Sequence, residues 1–163
     1  MGNDGLGKKA ESKIAQWLDR PESGYSFDRI PDQMTGWYGS KNICDFTLFK
    51  SPYMYYIESK ATWESRFDFS MITDNQFSGL VSKSKINNVF GLIIVLFASH
   101  KRAFILDIRD ISNLMDAGKK SLNIDKLDKW TIPFIEINTL SNPRKTYLDY
   151  EGDFAPEIVF GKS

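Results

Sequence analysis

The longest apolar run in the chain, Val89–Ala98 (VFGLIIVLFA), is interrupted only by Gly91. It falls far short of the roughly 20 apolar residues that a membrane span needs, and it reads as a strand. A second apolar stretch, Ala103–Ile108, follows the polar turn Ser99–Arg102, so the two form neighbouring strands. Upstream, Tyr25–Ile30 alternates polar and apolar residues and stops at Pro31. Ile43–Phe49 and Tyr53–Ala61 flank the Ser51-Pro52 turn and predict a hairpin. Helical spacing of Ile14, Trp17 and Leu18 predicts a helix over Lys9–Arg20, ended by Pro21. Asp74 is the expected cap of a helix from Asn75 to about Lys85, which Asn87-Asn88 breaks. Asp110–Ala117 reads as a short helix closed by Gly118, and Ile132–Asn138 as a strand. Trp63–Met71 fits neither period. The order helix, three strands, helix, two strands, helix predicts an α/β fold with a mixed central sheet flanked by helices.

At 163 residues, one domain is expected, with a core of its own. No repeat, low-complexity tract or linker divides it. The single cysteine, Cys44, forms no internal disulfide, and the N-terminal segment lacks the apolar stretch of a signal peptide. Both point to a reducing, cytoplasmic setting and no membrane partner. The 21 basic and 21 acidic side chains cancel. That disfavours a simple electrostatic nucleic-acid binder but not a protein whose acids gather in a metal site. Asp149, Glu151, Asp153 and Glu157 make the C-terminal segment acidic, which argues against a phosphate-binding role for it.

Two motifs are set aside. Gly2–Lys8 reads G-x-x-x-x-G-K, but Lys9 stands where a magnesium-binding Ser or Thr belongs, and no strand precedes it. Cys44 and His100 suggest a thiol and its base, yet a buried inert cysteine is the commoner outcome. One Cys and one His are also too few for a zinc site.

Asp45, Glu58 and Lys60 carry more information. Glu58 and Lys60 are two apart on a strand, so they project from one face with Tyr56, and the facing strand brings Asp45 close. Two carboxylates about 4 Å apart repel by roughly 4 kcal/mol at an effective dielectric of 20, and a hard divalent cation relieves that repulsion. Carboxylate oxygens with one backbone carbonyl and water suit magnesium. Such an ion acidifies a bound water and steadies charge on a phosphate. Glu-x-Lys alone is a cheap pattern: it recurs at Glu11–Lys13, and an exposed ion pair on a strand gives the same spacing.

The surrounding order resembles the PD-(D/E)XK nuclease superfamily, whose core is a helix, a hairpin bearing Asp and then Glu-x-Lys, a helix and a strand. Within it, the chain looks most like the RecU-type Holliday junction resolvases. Asn3, Gly7, Lys8 and Glu11 resemble the start of that family. Lys60-Ala61-Thr62 is close to its Lys-Glu-Thr, and Phe67–Phe69 to its Phe-Pro-Leu. Ile72–Gln76 resembles its helix start ending in His-Gln, with Asn75 in place of the His. The strand Gly91–Phe97 matches in position and character, and the resemblance covers about residues 1–108. One departure is the stalk of RecU-type enzymes: here Ile30–Asn42 is short and holds Trp37 and Tyr38.

The resemblance implies a restriction-endonuclease-like core over about 1–108, within one nuclease domain, 1–163. It implies a magnesium-dependent endonuclease, with manganese as a substitute, acting on branched DNA in recombination or repair as a homodimer. The setting would be a bacterial cytoplasm, whether the protein is cellular or phage-encoded. Asp45, Glu58 and the Ser59 carbonyl would hold the metal. Lys60 would place or activate water, Gln76 would position water or phosphate, and Glu11 would approach from the first helix. Lys8, Lys9, Lys83 and Lys85, with Lys101-Arg102, are candidate phosphate contacts, and Trp37 and Tyr38 candidate base-stacking residues. A nicking or restriction-like enzyme on linear duplex, and a non-catalytic DNA-binding module, are the alternatives.

Overall fold

The computed structural model describes residues 4–31, 42–140 and 149–161. Its elements in chain order are α1 (Asp4–Leu18), β1 (Ser26–Arg29), β2 (Phe46–Lys50), β3 (Tyr53–Thr62), β4 (Arg66–Asp68), α2 (Asp74–Ser84), β5 (Val89–Phe97), β6 (Arg102–Asp107), α3 (Ile108–Asp116), β7 (Ser121–Asn123), β8 (Ile135–Glu136), β9 (Asn138–Leu140), β10 (Asp149–Glu151) and α4 (Pro156–Phe160). The main sheet runs β1-β2-β3-β5-β6-β8, with β3 and β5 parallel and the other neighbours antiparallel. The mixed sheet flanked by helices is therefore as expected.

The apolar run that makes β5 is explained by burial on both faces. On one side Phe90, Leu92 and Ile94 join Phe46, Leu48, Tyr55 and Ile57 under Ile14, Trp17 and Leu18 of α1. On the other, Ile93, Val95 and Phe97 pack with Phe104, Leu106, Leu80 of α2 and Ile111 of α3. Gly91 permits close approach of α2: a Cβ there would lie 2.7 Å from the Leu80 carbonyl.

Several boundaries differ from the sequence reading. α1 begins at Asp4, so Gly5, Gly7 and Lys8 are helical and cannot cradle a phosphate as a loop. The expected strand at Ile43 starts only at Phe46. Residues before it are drawn toward α2: Ile43 fills the space over Gly79, where a Cβ would meet its Cγ2 at 2.3 Å, and Asn75 Nδ2 donates to the Asn42 carbonyl at 3.2 Å. The cap of α2 is Thr73, not Asp74. That of α3 is Asp107, so the helix starts two residues early. Ile132–Asn138 divides, β8 closing the main sheet and β9 pairing with β10. The ambiguous Trp63–Met71 stretch contains β4, which pairs with β7, and a 3-10 turn.

The acidic C-terminal segment is part of the core. Tyr150 and Phe154 pack edge-on against Trp17, and Phe154 against Tyr55. Its acids answer bases beneath: Lys13 Nζ lies 2.5 Å from Asp149, and Lys50 Nζ 2.7 Å from Glu157. The Tyr55 hydroxyl also donates to Glu157, and Trp17 Nε1 donates to the Gly152 carbonyl at 2.9 Å. Among the described residues no helix is long and apolar enough to cross a membrane.

Candidate active site

Because β2 starts opposite Ile57, the last five residues of β3 have a strand only on their β5 side. Asp45 occupies the other side. Its own N–H donates to the Ile57 carbonyl at 3.0 Å, and its Oδ2 accepts the Ser59 N–H at 2.9 Å. The carboxylate thus caps the strand edge and is fixed beside Glu58.

Glu58 is 3% exposed. Its Oε2 accepts from Gln76 Nε2 at 2.9 Å and lies 3.1 Å from Lys60 Nζ. Its Oε1 is buried and has no hydrogen-bond partner among the described residues. Gln76 is pinned from behind. Thr73 and Gln76 form a reciprocal capping box, in which Thr73 Oγ1 accepts the Gln76 N–H and Gln76 Oε1 accepts the Thr73 N–H. With its oxygen engaged by the helix cap, the Gln76 amide can only present its NH2 to Glu58. One of its two N–H groups holds the Glu58 carboxylate.

Glu11 reaches the same place from α1, across the sheet. Its Oε2 accepts from Arg29 Nη2 at 2.8 Å. Desolvation raises its pKa, and so does the neighbouring Asp45. Asp45 is pushed up to about 6, first by burial and next by the charge of Glu58. Burial also raises Glu58, against the lowering effect of Lys60. Three carboxyls are thus packed against two cations, Lys60 and Arg29, and the cluster favours taking up a further positive charge.

That charge need not be a proton. Two firmly held carboxylates, one with an unpartnered buried oxygen, fit a hard divalent cation. Among the described residues no three His, Cys, Asp or Glu form a ready-made cage. Magnesium suits such a partial donor set, because it keeps several waters and takes substrate phosphate oxygens.

The structure thus brings together Asp45, Glu58, Ser59, Lys60, Gln76 and Glu11. It does not gather the candidate phosphate contacts. Lys8 and Lys9 are on α1, and Lys83 and Lys85 at the far end of α2 from Gln76, against the opposite face of the sheet. Lys83 lies over the Tyr56 ring at 5.1 Å. Trp37 and Tyr38 lie outside the described residues. Arg102 is paired with Glu136 at 2.6 Å. Cys44 is inert, its thiol raised to about 12 by burial and donating to the Phe46 carbonyl, and His100 pairs with Asp125 instead. Sequence reasoning missed Thr73 and Arg29. Thr73-x-x-Gln76 is a readable capping box, whereas nothing in the spacing marks Arg29, whose guanidinium also lies 5.8 Å from the Phe46 ring centre.

An Asp beside a Glu-x-Lys strand, on a mixed sheet crossed by helices, is the arrangement that the resemblance to PD-(D/E)XK nucleases implies. The family model for RecU, Recombination protein U, matches residues 25–151, most of the chain. The chain belongs to the RecU family of Holliday junction resolvases. The match runs well past residue 108, where the sequence resemblance stopped, and begins after α1. Among solved structures the chain is similar to Archaeoglobus fulgidus Hjc, a Holliday junction resolvase from an archaeal hyperthermophile. The identity is 13%, 64% of this chain and 78% of that chain are covered, and the TM-score is 0.46. No curated protein matches.

Proposed function

We propose that this chain is a magnesium-dependent endonuclease that resolves four-way DNA junctions as a symmetric homodimer. The observation that carries the reading is Glu58: buried, held at one oxygen by Gln76 and Lys60, and unpartnered at the other, beside Asp45. Asp45 and Glu58 would hold the cation, with the Ser59 carbonyl. A bound divalent ion supplies Lewis-acid stabilisation of phosphate charge and a more acidic water.

The protein's own groups do the rest. Lys60 Nζ orients the attacking water and offsets charge on the phosphate. Gln76 Nε2 keeps Glu58 in one rotamer, which makes it a positioning residue. Glu11 adds an anionic oxygen beside Asp45, and Arg29 holds it there. Lys8 and Lys9 contact phosphate on one flank, and Lys83, Lys85, Trp37 and Tyr38 contribute DNA contacts. Residues 109–163 belong to the same nuclease domain, since Tyr150, Phe154 and Phe160 share the core beneath α1. A junction has two equivalent strands to cut, so two sites on a two-fold axis are the simplest arrangement.

The test is cleavage of junction, flap, nicked and linear DNA in magnesium, with Glu58→Gln as control. Paired symmetric cuts in the junction that require the ion and vanish in Glu58→Gln are expected. Equal cutting of linear duplex would refute the resolvase reading, and full activity of Glu58→Gln the site.

A further inference from the structure

Trp63 is the first residue beyond β3, and its side chain is left half in solvent, 50% exposed. Its main chain is nonetheless fixed. Ser99 Oγ donates to the Trp63 carbonyl at 2.8 Å, the Glu64 N–H is accepted by Thr62 Oγ1 at 3.0 Å, and Thr62 is paired with Phe97 of β5. Among the described residues no ring or cation packs with the indole. It is an aromatic surface on a rigid mount.

The mount stands next to the chemistry. Trp63 is three residues past Lys60, which along a strand is about 10 Å. Stacked nucleotides advance about 3.4 Å each, so about three nucleotides span that distance. The exposed Lys101 closes the turn whose Ser99 anchors the Trp63 carbonyl. The immediate neighbour Glu64 is exposed and acidic, which repels phosphate. An aromatic ring flanked by an acid suits the uncharged face of a base. In a continuous duplex those faces are covered by stacking, and a base offers one where stacking is interrupted, as at a branch.

We propose that Trp63 stacks on an unstacked base about one to three nucleotides from the scissile phosphate, and so selects branched over linear DNA. The proposal rests on the resolvase reading above. The test measures equilibrium binding of the full chain in EDTA to a four-way junction and to linear duplex. Both carry 2-aminopurine at the nucleotides flanking the cut, and wild type is compared with Trp63→Ala and Trp63→Phe. Truncation of one stacking aromatic is expected to lower junction affinity about tenfold to a hundredfold. Duplex affinity should change less than about threefold, and Trp63→Phe should recover most of the loss. Wild type should quench the 2-aminopurine at the branch, and Trp63→Ala should not. If wild type prefers the junction and Trp63→Ala keeps that preference, or weakens both DNAs equally, the proposal is wrong while the resolvase reading stands. If wild type binds both DNAs alike, the resolvase reading falls, and the selection assigned to Trp63 falls with it.

Discussion

Asp45→Asn should make the metal-free protein more stable. In the folded chain the Asp45 carboxyl is raised from 3.8 to about 6, by burial first and by Glu58 second. The folded state therefore binds this proton more tightly than the unfolded state. The stability Asp45 contributes is intact below the unfolded value, is lost as pH climbs through the folded value, and stays lost above it. A shift of about two units corresponds to at most ~3 kcal/mol. Asp45 is only partly buried and shares its charge with Glu58 and Glu11, so screening reduces the usable amount to about 1–2 kcal/mol. Asparagine keeps an oxygen for the Ser59 N–H and carries no charge. For a chain of this length that predicts a rise in Tm of roughly 3–6 °C. Thermal unfolding by circular dichroism in EDTA, across a pH series, reads it directly. The gap between variant and wild type should be full at about pH 8 and close below about pH 4. Excess magnesium should raise wild type alone, because binding to the folded state stabilises by mass action. A variant no more stable than wild type in EDTA at high pH, or a gap that ignores pH, would refute the electrostatic account of this cluster.

Lys60→Ala should cut kcat by at least about a hundredfold while DNA affinity changes only a few-fold, because one cation is a small share of the phosphate contacts. Equal losses in both would make Lys60 a phosphate anchor instead. Thr73→Ala should cost about 1 kcal/mol of stability through the lost cap. By releasing Gln76 it should also lower kcat more than it raises KM, and an unchanged rate would show that Glu58 does not need the tether. Affinity for DNA should fall steeply with salt despite zero net charge, and a flat dependence would exclude phosphate contacts as its main source. Light scattering over a dilution series should report a dimer, and a monomer that cuts paired strands would contradict the symmetric arrangement.

The parts of the site that obey a strand's period of two were legible in the sequence. Glu58 and Lys60 had to share a face, and a hairpin had to bring Asp45 near. What the pattern could not say is that Asp45 acts from beyond its strand. Cys44 continues the apolar alternation of Phe46 and Leu48, yet the neighbouring Ile43 is claimed by the bare surface of Gly79 on α2, a tertiary contact with no local signature. Asp74 is as good a cap by type as Thr73; the choice was made by Gln76, whose side chain returns the bond. Glu11 was readable only through resemblance, because its partner Arg29 lies on a separate strand. The C-terminal segment was read from its acids only as unsuited to phosphate; two of them, Asp149 and Glu157, are paired to Lys13 and Lys50 on surfaces the sequence leaves far away.

That segment bears on when the molecule becomes a nuclease during its own synthesis. All the residues of the candidate site precede position 77, so a ribosome delivers them early. The face of the sheet behind them, however, is closed by Tyr150, Phe154 and Phe160 against Trp17 and Tyr55. Until those aromatics emerge, the part of that face that α1 leaves uncovered, around Tyr55, is open to water. At about 5–20 residues per second, the wait between the two events is several seconds. A half-made chain therefore carries every residue of the candidate site before the packing that closes the sheet behind it.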